Sequence, residues 1–369
     1  MKIALVVGAR PNYMKVAPIL REIEKRSRMG STDIETLLVH TGQHYDAAMS
    51  DSFFRDLGMP EPDEFLNIGS DNHARQTARV MIAFDEVCER RQPDAVLVVG
   101  DVNSTIACAL VAAKRGIRVI HVEAGLRSRD RTMPEELNRV LTDQISDLLL
   151  VTSEDAIENL RAEGIDPSKI VFVGNPMIDS LEAVRAVIEA GSPLPFPFGV
   201  VTLHRPGNVD DPEELNPIME GLRRAAAMLP LIFPVHPRTS ARLREMGFAV
   251  ERGESIADIE QSGGLWALPP LPYIEFLRLV RWSSVVLTDS GGIQEETTVL
   301  GVPCITLRPN TERPVTVDVG TNELVPRTAE AIESAVRRVM AGTWKKGTRP
   351  ALWDGQAAGR IVEALSRLK

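Results

Sequence analysis

The sequence opens with MKIALVVGARPNYMKVAPIL, Met1 to Leu20, and this stretch decides the fold expected for the first half of the chain. Residues 3–8 are apolar along their whole length, which predicts a strand buried on both faces. Gly8 and Pro11 then mark a tight turn, and a segment with helical spacing follows. A buried strand that leads through a turn into a helix is the repeating unit of a parallel α/β sheet.

The same alternation continues along the chain. Strands are predicted in the first half at residues 3–8, 35–41, 94–101, 118–125, 148–153 and 170–175, and in the second half at residues 199–204, 230–236, 284–289 and 303–308. Helical periods separate them, so the prediction is an α/β fold of two doubly wound, Rossmann-like domains facing a cleft. We expect the first domain at residues 1–175 and the second at residues 176–354, with the proline-rich segment 191–199 as a linker.

Composition limits the class of protein. Of 369 residues, 44% are hydrophobic and 25% are charged, which is ordinary for a soluble globular chain. The net charge of −9 argues against a nucleic-acid partner, because phosphate backbones demand a basic face. No apolar run approaches the roughly 20 residues that span a bilayer, and no signal peptide is visible, so a cytoplasmic enzyme without membrane contact is expected. The three cysteines, Cys88, Cys108 and Cys304, are scattered and are predicted to be core residues.

Ligands in doubly wound sheets bind beyond the carboxyl ends of the strands, and this chain concentrates chemically active residues there. Glu123 is the most informative, because a carboxylate that closes an apolar strand is costly unless it is partnered. Asp289-Ser290-Gly291-Gly292 opens a predicted helix, whose free amides favour an anion. The other candidates at strand ends are Arg10, Lys15, Asp101, His204, His236, Glu296 and Arg313.

Structural roles compete with each of these functional interpretations. Asp101 could be the N-cap of a helix, and Thr132 to Glu135 fits a capping box. His204 and His236 could be satisfied core histidines, and the turn at Gly8 could be no more than a turn.

Several sequence patterns do not occur. The chain has no GxGxxG, no GxxxxGK[ST], no HExxH and no Asp-x-Asp pair. Nicotinamide chemistry, P-loop chemistry and a metal-held diphosphate are therefore unsupported, and no cofactor or metal is expected. A nucleotide ligand would have to be held by cations, amides and hydroxyls.

A series of motifs occurs in order from Gly8 to Arg313, namely GARPNYMK, TGQH, GDVNST, HVEAGLRS, MPEELNR, LTDSGGIQEE and TERP. Taken together, these motifs resemble the non-hydrolysing UDP-N-acetylglucosamine 2-epimerases. The resemblance implies the two-domain glycosyltransferase B fold, with the last helix, residues 355–369, packing back on the N-terminal domain. It also implies a UDP-sugar ligand and a homodimer.

The family reaction eliminates UDP from the sugar to give a 2-acetamidoglucal, and then adds UDP back with a proton delivered to the other face of C2. By resemblance, Asp101, Glu123 and Glu135 lie around the sugar for proton transfer, and His204 either holds the diphosphate or protonates it. Which carboxylate is the acid and which is the base stays open. The diphosphate of UDP is expected to contact Arg10, Lys15 and the amides of Ser290, Gly291 and Gly292. Glu296 is expected to bind the ribose and Phe276 to face the uracil. Arg313 is a further cation expected in the UDP site.

The family also implies a second nucleotide site that activates bacterial relatives. Gln43, His44, Glu136 and His236 match it, but this chain has Pro206 and Gly207 where many relatives have Arg and Glu, so activation by substrate stays open. The TGQH and MPEELNR regions also resemble relatives that act on diacetamido-uronic acid sugars. Three further hypotheses stay open: a hydrolysing epimerase, a glycosyltransferase with a separate acceptor and a non-catalytic nucleotide sensor.

Overall fold

The structure is a computed structural model that describes residues 1–42, 58–235, 237–248, 250–261 and 263–368. The side chains of Arg10, Pro237, Arg238, Glu251 and Arg252 are likewise not described. Three of the residues singled out from the sequence, Gln43, His44 and His236, therefore lie outside the described residues.

The chain divides into two compact units, Met1–Ala183 with Ala351–Lys369, and Val184–Pro350. The first unit contains a sheet of seven parallel strands in the order β3-β2-β1-β4-β5-β6-β7. Its strands are β1 (Lys2–Val7), β2 (Glu35–His40), β3 (Glu64–Phe65), β4 (Ala95–Val99), β5 (Arg118–Ala124), β6 (Leu148–Val151) and β7 (Ile170–Phe172). The order reverses between β1 and β4, which is the switch point where doubly wound folds place ligands.

Helices connect these strands. In the first unit they are α1 (Arg10–Arg28), α2 (His73–Arg91), α3 (Asn103–Lys114), α4 (Pro134–Gln144) and α5 (Glu154–Ala162), with a 3₁₀ turn at Pro167–Lys169. Helix α6 (Pro176–Ile188) begins in the first unit, and its last residues, from Val184, belong to the second. Strands β1 and β4 are buried almost throughout. This explains their unbroken apolar sequences, since helices cover both faces of a parallel sheet.

The second unit repeats the architecture with seven parallel strands in the order β10-β11-β9-β8-β12-β13-β14. These are β8 (Gly199–Thr202), β9 (Leu231–Pro234), β10 (Glu251–Arg252), β11 (Leu265–Leu268), β12 (Val285–Thr288), β13 (Cys304–Thr306) and β14 (Asn322–Leu324). The helices are α7 (Pro206–Val209), α8 (Pro212–Ala226), α9 (Pro237–Glu245), α10 (Tyr273–Trp282), α11 (Gly291–Leu300), α12 (Pro314–Asp318) and α13 (Ala329–Met340), with a 3₁₀ turn at Ile256–Asp258.

The last helix, α14 (Ala357–Ser366), belongs to the first unit. Asp179 of α6 accepts hydrogen bonds from the amides of Ala357 (3.1 Å) and Ala358 (2.7 Å), and so satisfies two free donors at the start of α14. The Trp353 indole is buried and donates to the Thr152 carbonyl oxygen at 2.8 Å. The returning segment is thus fixed by both hydrogen bonds and packing.

The proline-rich segment 191–199 is not at the junction of the two units. It lies within the second unit, where Leu194 and Phe198 are buried and Gly199 begins β8. The expectation of a linker there was wrong, because prolines that stiffen a linker also suit a packed lead into a strand. The compact first unit runs to Ala183, eight residues beyond the end expected for the first domain.

The cores match the compositional expectations. Cys88, Cys108 and Cys304 are buried free thiols, as predicted. Among the described residues, no helix has both the length and the apolar character needed to cross a bilayer.

Candidate active site

The turn after β1 is held by Asn12. Its Oδ1 accepts the amides of Gly8 (3.1 Å) and Ala9 (3.0 Å), while its Nδ2 donates to the Val99 carbonyl oxygen at 3.0 Å. A Cβ atom on Gly8 would lie 2.5 Å from Ser104 Oγ, so glycine is required by close approach. This turn brings the start of α1, with Arg10 as its first residue, to the carboxyl edge of the sheet beside the end of β4.

Lys15 and Glu123 form a buried ion pair at this edge. Lys15 Nζ contacts Glu123 Oε2, and the two side chains are 5% and 2% exposed. The Lys15 ammonium also lies against Gly100, 3.6 Å from the position a Cβ atom would occupy there. The cation predicted for a diphosphate and the carboxylate predicted for proton transfer are therefore partners in this structure, next to Asp101.

The backbone at Glu123 is unusual. Its φ angle is +70°, in the left-handed region that residues other than glycine seldom adopt, and the pairing of β5 with β6 shifts between Val122 and Ala124. Such a conformation costs on the order of 1–3 kcal/mol and persists where surrounding structure enforces it. The bulge re-aims the carboxylate at the point where the strand leaves the sheet.

Asp101 follows β4 but does not cap a helix. The N-cap of α3 is Val102, and the Asp101 carboxylate instead contacts Arg139 Nη2 from α4. The Asn138 amide also donates to the Asp101 carbonyl oxygen at 2.9 Å. The interpretation of Asp101 as an N-cap was therefore wrong, and the two residues from α4 that fix Asp101 could not be identified from local sequence.

Glu135 and Glu136 have different environments at the start of α4. The capping box expected between Thr132 and Glu135 is not formed, since the N-cap is Met133 and no side chain caps it. Within the described part of the chain, the half-buried Glu135 carboxylate has no hydrogen-bond or ion-pair partner. It is available for a ligand.

The Glu136 carboxylate is turned toward the protein. It accepts from the Ser128 amide and hydroxyl, both at 2.9 Å, and from the Arg129 amide at 2.8 Å, and it pairs with Arg139 at 2.5 Å. Burial acts to raise the pKa of Glu136, but these donors and the Arg139 charge outweigh it and lower the pKa. Glu136 thus ties the loop after β5 to α4.

His204 and Asp289 form a dyad in the second unit. Asp289 follows β12 and is fully buried, while the His204 side chain is 50% exposed with Nδ1 2.9 Å from Asp289 Oδ1. Burial acts to raise the pKa of Asp289, but the charge and hydrogen bond of His204 and the amides of Arg205 and His204 lower it. The carboxylate contacts the Nδ1 side of the half-exposed ring and so orients it.

Helix α11 begins beside this dyad. Ser290 is its N-cap and makes no side-chain cap hydrogen bond, and Gly291 and Gly292 form its first turn. A Cβ atom on Gly291 would lie 2.5 Å from Arg313 Nη1. The Ser290 amide, expected to bind an anion, already donates to Thr288 Oγ1 at 2.9 Å. Because the first amides of a helix have no acceptor within it, Gly291 and Gly292 still offer donors, with a nearby guanidinium, to an anion.

Arg313 does not stand free in solvent. Its Nε is 2.8 Å from Glu295 Oε1, and its Nη1 is 3.5 Å from Glu312 Oε2. Glu312 also pairs with Arg308 at 2.8 Å and with Arg205 at 3.4 Å. Arg313 is therefore a fixed cation within a charge network, and its direction is set before any ligand arrives.

Glu296 lies on helix α11. It is 1% exposed, accepts a hydrogen bond from the Tyr273 hydroxyl at 3.0 Å, and has its pKa raised by burial to about 8. Phe276, one turn after Tyr273 on α10, is half-buried. Across the residues that the structure describes, no cluster of three His, Cys, Asp or Glu side chains could hold a metal ion.

The profile of the UDP-N-acetylglucosamine 2-epimerase family matches residues 27–366. The chain belongs to this family. It is 41% identical to the UDP-N-acetylglucosamine 2-epimerase of Methanocaldococcus jannaschii, with 99% of each chain covered, and 38% identical to the UDP-2,3-diacetamido-2,3-dideoxy-D-glucuronate 2-epimerase of Pseudomonas aeruginosa over the full length of both.

Solved structures of the 2-epimerase family agree with this assignment. The crystal structure of the M. jannaschii enzyme, in complex with UDP-GlcNAc and UDP, matches with a TM-score of 0.84 and 99% coverage of each chain. The predicted fold class, two Rossmann-like α/β units of glycosyltransferase B type, is confirmed.

Proposed function

We propose that this chain is a non-hydrolysing epimerase that interconverts UDP-N-acetylglucosamine and UDP-N-acetylmannosamine at C2. Membership of the family and 41% identity to an enzyme of that name support the substrate. The carboxylates at the carboxyl edge of the first sheet support proton transfer without a metal or redox cofactor.

The proposed reaction has two steps. A carboxylate takes the proton from C2, the C2–H electrons form the C1–C2 double bond, and the bond from C1 to the diphosphate oxygen breaks with its electrons leaving on UDP. In the second step a proton is added to the opposite face of C2, and a β-phosphate oxygen of UDP bonds again to C1. No atom is gained or lost overall, and water is not consumed.

One observation carries this proposal: a strained, buried Glu123 in contact with Lys15 at the point where Asp101 follows the adjacent strand. Backbone strain at a carboxylate is a recurrent mark of functional sites. Two carboxylates with different partners, Lys15 for Glu123 and Arg139 for Asp101, also suit the two different proton transfers that epimerisation needs.

Most of the groups that would bind UDP on this proposal belong to the second unit. The start of α11, with Ser290, Gly291 and Gly292, would bind the diphosphate, and Arg10, Lys15 and His204 would stabilise its charge as it leaves. Glu296 would accept the ribose hydroxyls and Phe276 would face the uracil. The fixed direction of Arg313 supports a role toward the same anion.

Incubation with UDP-N-acetylglucosamine in heavy water tests the reaction. We expect the manno epimer with one deuterium at C2, observed by mass spectrometry and proton NMR. Epimer without deuterium would contradict the elimination step.

Release of UDP distinguishes a hydrolysing enzyme. A non-hydrolysing enzyme reaches an equilibrium mixture of two UDP-sugars, whereas a hydrolysing enzyme accumulates UDP and free N-acetylmannosamine. A coupled assay for UDP in the same incubation measures this directly, and stoichiometric UDP would replace the proposal with the hydrolysing reaction.

A second candidate substrate is a UDP-2,3-diacetamido-uronic acid sugar, favoured by 38% identity to the P. aeruginosa enzyme. The same heavy-water assay on both sugars compares them, and a kcat/KM at least ten times higher identifies the substrate.

Activation by substrate is tested by measuring the rate against substrate concentration. Gln43, His44, Glu136 and His236 are the residues predicted for this activation. Sedimentation of the protein tests the expected homodimer.

A further inference from the structure

His121 on β5 is fully buried and lies between two hydrogen-bond acceptors. Its Nδ1 is 2.7 Å from Asp143 Oδ1, and its Nε2 is 2.8 Å from the Gly100 carbonyl oxygen. A carbonyl oxygen only accepts, so Nε2 donates to Gly100. The ring therefore spans from the end of β4 to α4.

Asp143 also contacts donors other than His121, through its second carboxylate oxygen. Its Oδ2 accepts the Gly125 amide at 3.1 Å and pairs with Arg127 Nη2 at 2.7 Å. Arg127 continues the chain of contacts to Glu163, at 2.6 Å. A carboxylate paired with a guanidinium accepts hydrogen bonds, and Asp143 Oδ1 is the acceptor that faces His121 Nδ1. The Arg127 guanidinium compensates the charge of the buried Asp143 carboxylate and makes its burial tolerable.

These contacts reach the backbone on both sides of the proposed catalytic carboxylates. Gly100 immediately precedes Asp101, and Gly125 follows Glu123 by two residues. Gly100 and Gly125 have φ angles of +68° and +80°, so both turns leave their strands through the left-handed region. His121 and Asp143 therefore connect the turn that carries Asp101 with the turn that carries Glu123.

We propose that His121 and Asp143 are positioning residues for epimerisation: they hold the Gly100 and Gly125 turns at a fixed separation, so that Asp101 and Glu123 are aimed at the same carbon. The inference rests on the proposed function, because it assigns these two carboxylates to proton transfer at C2. Neither His121 nor Asp143 needs to touch the substrate for this role.

Two substitutions of His121 each remove only one of the two hydrogen bonds made by the ring. His121→Asn keeps an amide nitrogen near the place of Nδ1 and so retains the bond to Asp143, but it loses the donor to Gly100. His121→Gln extends its amide toward the place of Nε2 and retains the Gly100 bond, but it loses the donor to Asp143. Asp143→Asn weakens the hold on Gly125 and Arg127 while the side chain keeps its size.

We expect each variant to lower kcat by roughly 10- to 100-fold while KM and UDP affinity stay within about threefold of wild type, because misalignment acts on the chemical step. Val98→Ala is the matched control. Val98 is buried on β4 and is the register partner of His121, so its truncation loosens the same strand pair without removing a polar contact. A control with the same loss of kcat would overturn the proposal.

Hydrogen exchange of the substrate-free protein provides a readout that does not depend on turnover. His121→Asn should raise exchange at residues 99–103, and His121→Gln and Asp143→Asn should raise it at residues 122–128, while Val98→Ala raises neither selectively. If the wild type is active and all three variants show normal hydrogen exchange and normal kcat, the positioning role of His121 and Asp143 is refuted. The proposed function is not affected by that result. A wild type inactive on both sugars would refute the function, and the positioning role with it, whatever the exchange shows.

Discussion

His204 Nδ1 lies 2.9 Å from Asp289 Oδ1, so a half-exposed imidazole is oriented by a fully buried carboxylate. The same carboxylate accepts the amides of His204 and Arg205 and the side chain of Asn208. One residue at the end of β12 therefore organises the whole turn after β8, and the position of the His204 ring depends on it.

Asp289→Asn should lower kcat by roughly 10²- to 10⁴-fold, the range for loss of a general acid or base function. The amide keeps the shape of the side chain but replaces one acceptor oxygen with a donor, so it cannot keep all the contacts that orient the His204 ring. Steady-state epimerisation and the pH dependence of kcat measure the effect. Asp318→Asn, at an exposed carboxylate of the same unit, is the control. An unchanged pH profile in Asp289→Asn would remove His204 from proton transfer.

Asp101→Asn and Glu123→Gln should each reduce turnover by about 10²- to 10⁴-fold, because each removes one proton-transfer group. The rate of deuterium uptake at C2 of the substrate should fall as steeply as epimerisation if the altered residue removes the proton. Near-normal rates for either variant would exclude that carboxylate from the mechanism. Glu275→Gln, at an exposed position on α10, controls for loss of a negative charge.

Glu296 should make stability depend on pH. Burial raises its pKa to about 8 in the folded protein, against 4.5 as the ordinary value. The unfolded chain therefore releases this proton first as pH rises, and the folded state loses about 1.4 kcal/mol per pH unit between these two values. Glu296→Gln removes this loss, so its stability relative to wild type should increase from pH 5 to pH 8.

Urea unfolding at several pH values measures the difference for Glu296→Gln. UDP binding should weaken in the same variant if the carboxyl group of Glu296 accepts the ribose hydroxyls. Stability curves for variant and wild type that run parallel across this range would contradict the burial effect. A gain in stability with unchanged UDP affinity would remove Glu296 from the nucleotide site.

Arg10→Ala should abolish turnover and weaken UDP binding together, since a cation at the start of α1 is expected to hold the diphosphate while it leaves and returns. Titration with UDP, followed by calorimetry, measures the binding. Arg21→Ala, on an exposed part of α1, is the matched control. Unchanged UDP affinity in Arg10→Ala would show that the turn at Gly8 has only a structural role.

Gly8→Ala should destabilise the first unit by about 1–3 kcal/mol, because its Cβ atom would lie 2.5 Å from Ser104 Oγ and 2.7 Å from Thr41 Oγ1. Thermal and urea unfolding measure the change. The control is Gly207→Ala, where a Cβ atom would meet nothing within 4 Å. Equal stability of Gly8→Ala and wild type would show that the hydroxyl pair moves aside without cost.

The strands that sequence could predict are those with long apolar runs. The strand predicted at residues 3–8 became Lys2–Val7, whereas β3, with two residues, is too short to show a period. The strands predicted at residues 94–101 and 118–125 ran too far, because Gly100 and Gly125 leave the sheet with positive φ. Local pattern thus predicted the long apolar strands, missed β3, β10, β11 and β14, and predicted strand ends poorly.

In the candidate site, too, sequence could predict some features and not others. Residues at strand ends, such as Glu123 and His204, could be selected because topology sends all carboxyl ends to one edge. Their partners could not be selected, because Arg139 lies 38 residues from Asp101 and Asp289 lies 85 residues from His204 in the chain. Such pairings are set by tertiary packing and leave no local period in the sequence.

The return of residues 351–369 to the first unit has a consequence for how the protein can be made. Residues 184–350 form an insertion within the first unit, so no uninterrupted gene fragment encodes that unit whole. During synthesis, the carbonyl of Thr152 and the carboxylate of Asp179 lack their partners in the segment 353–358 until that segment has been synthesised. We expect the nascent first unit to finish folding only after the whole second unit has been made.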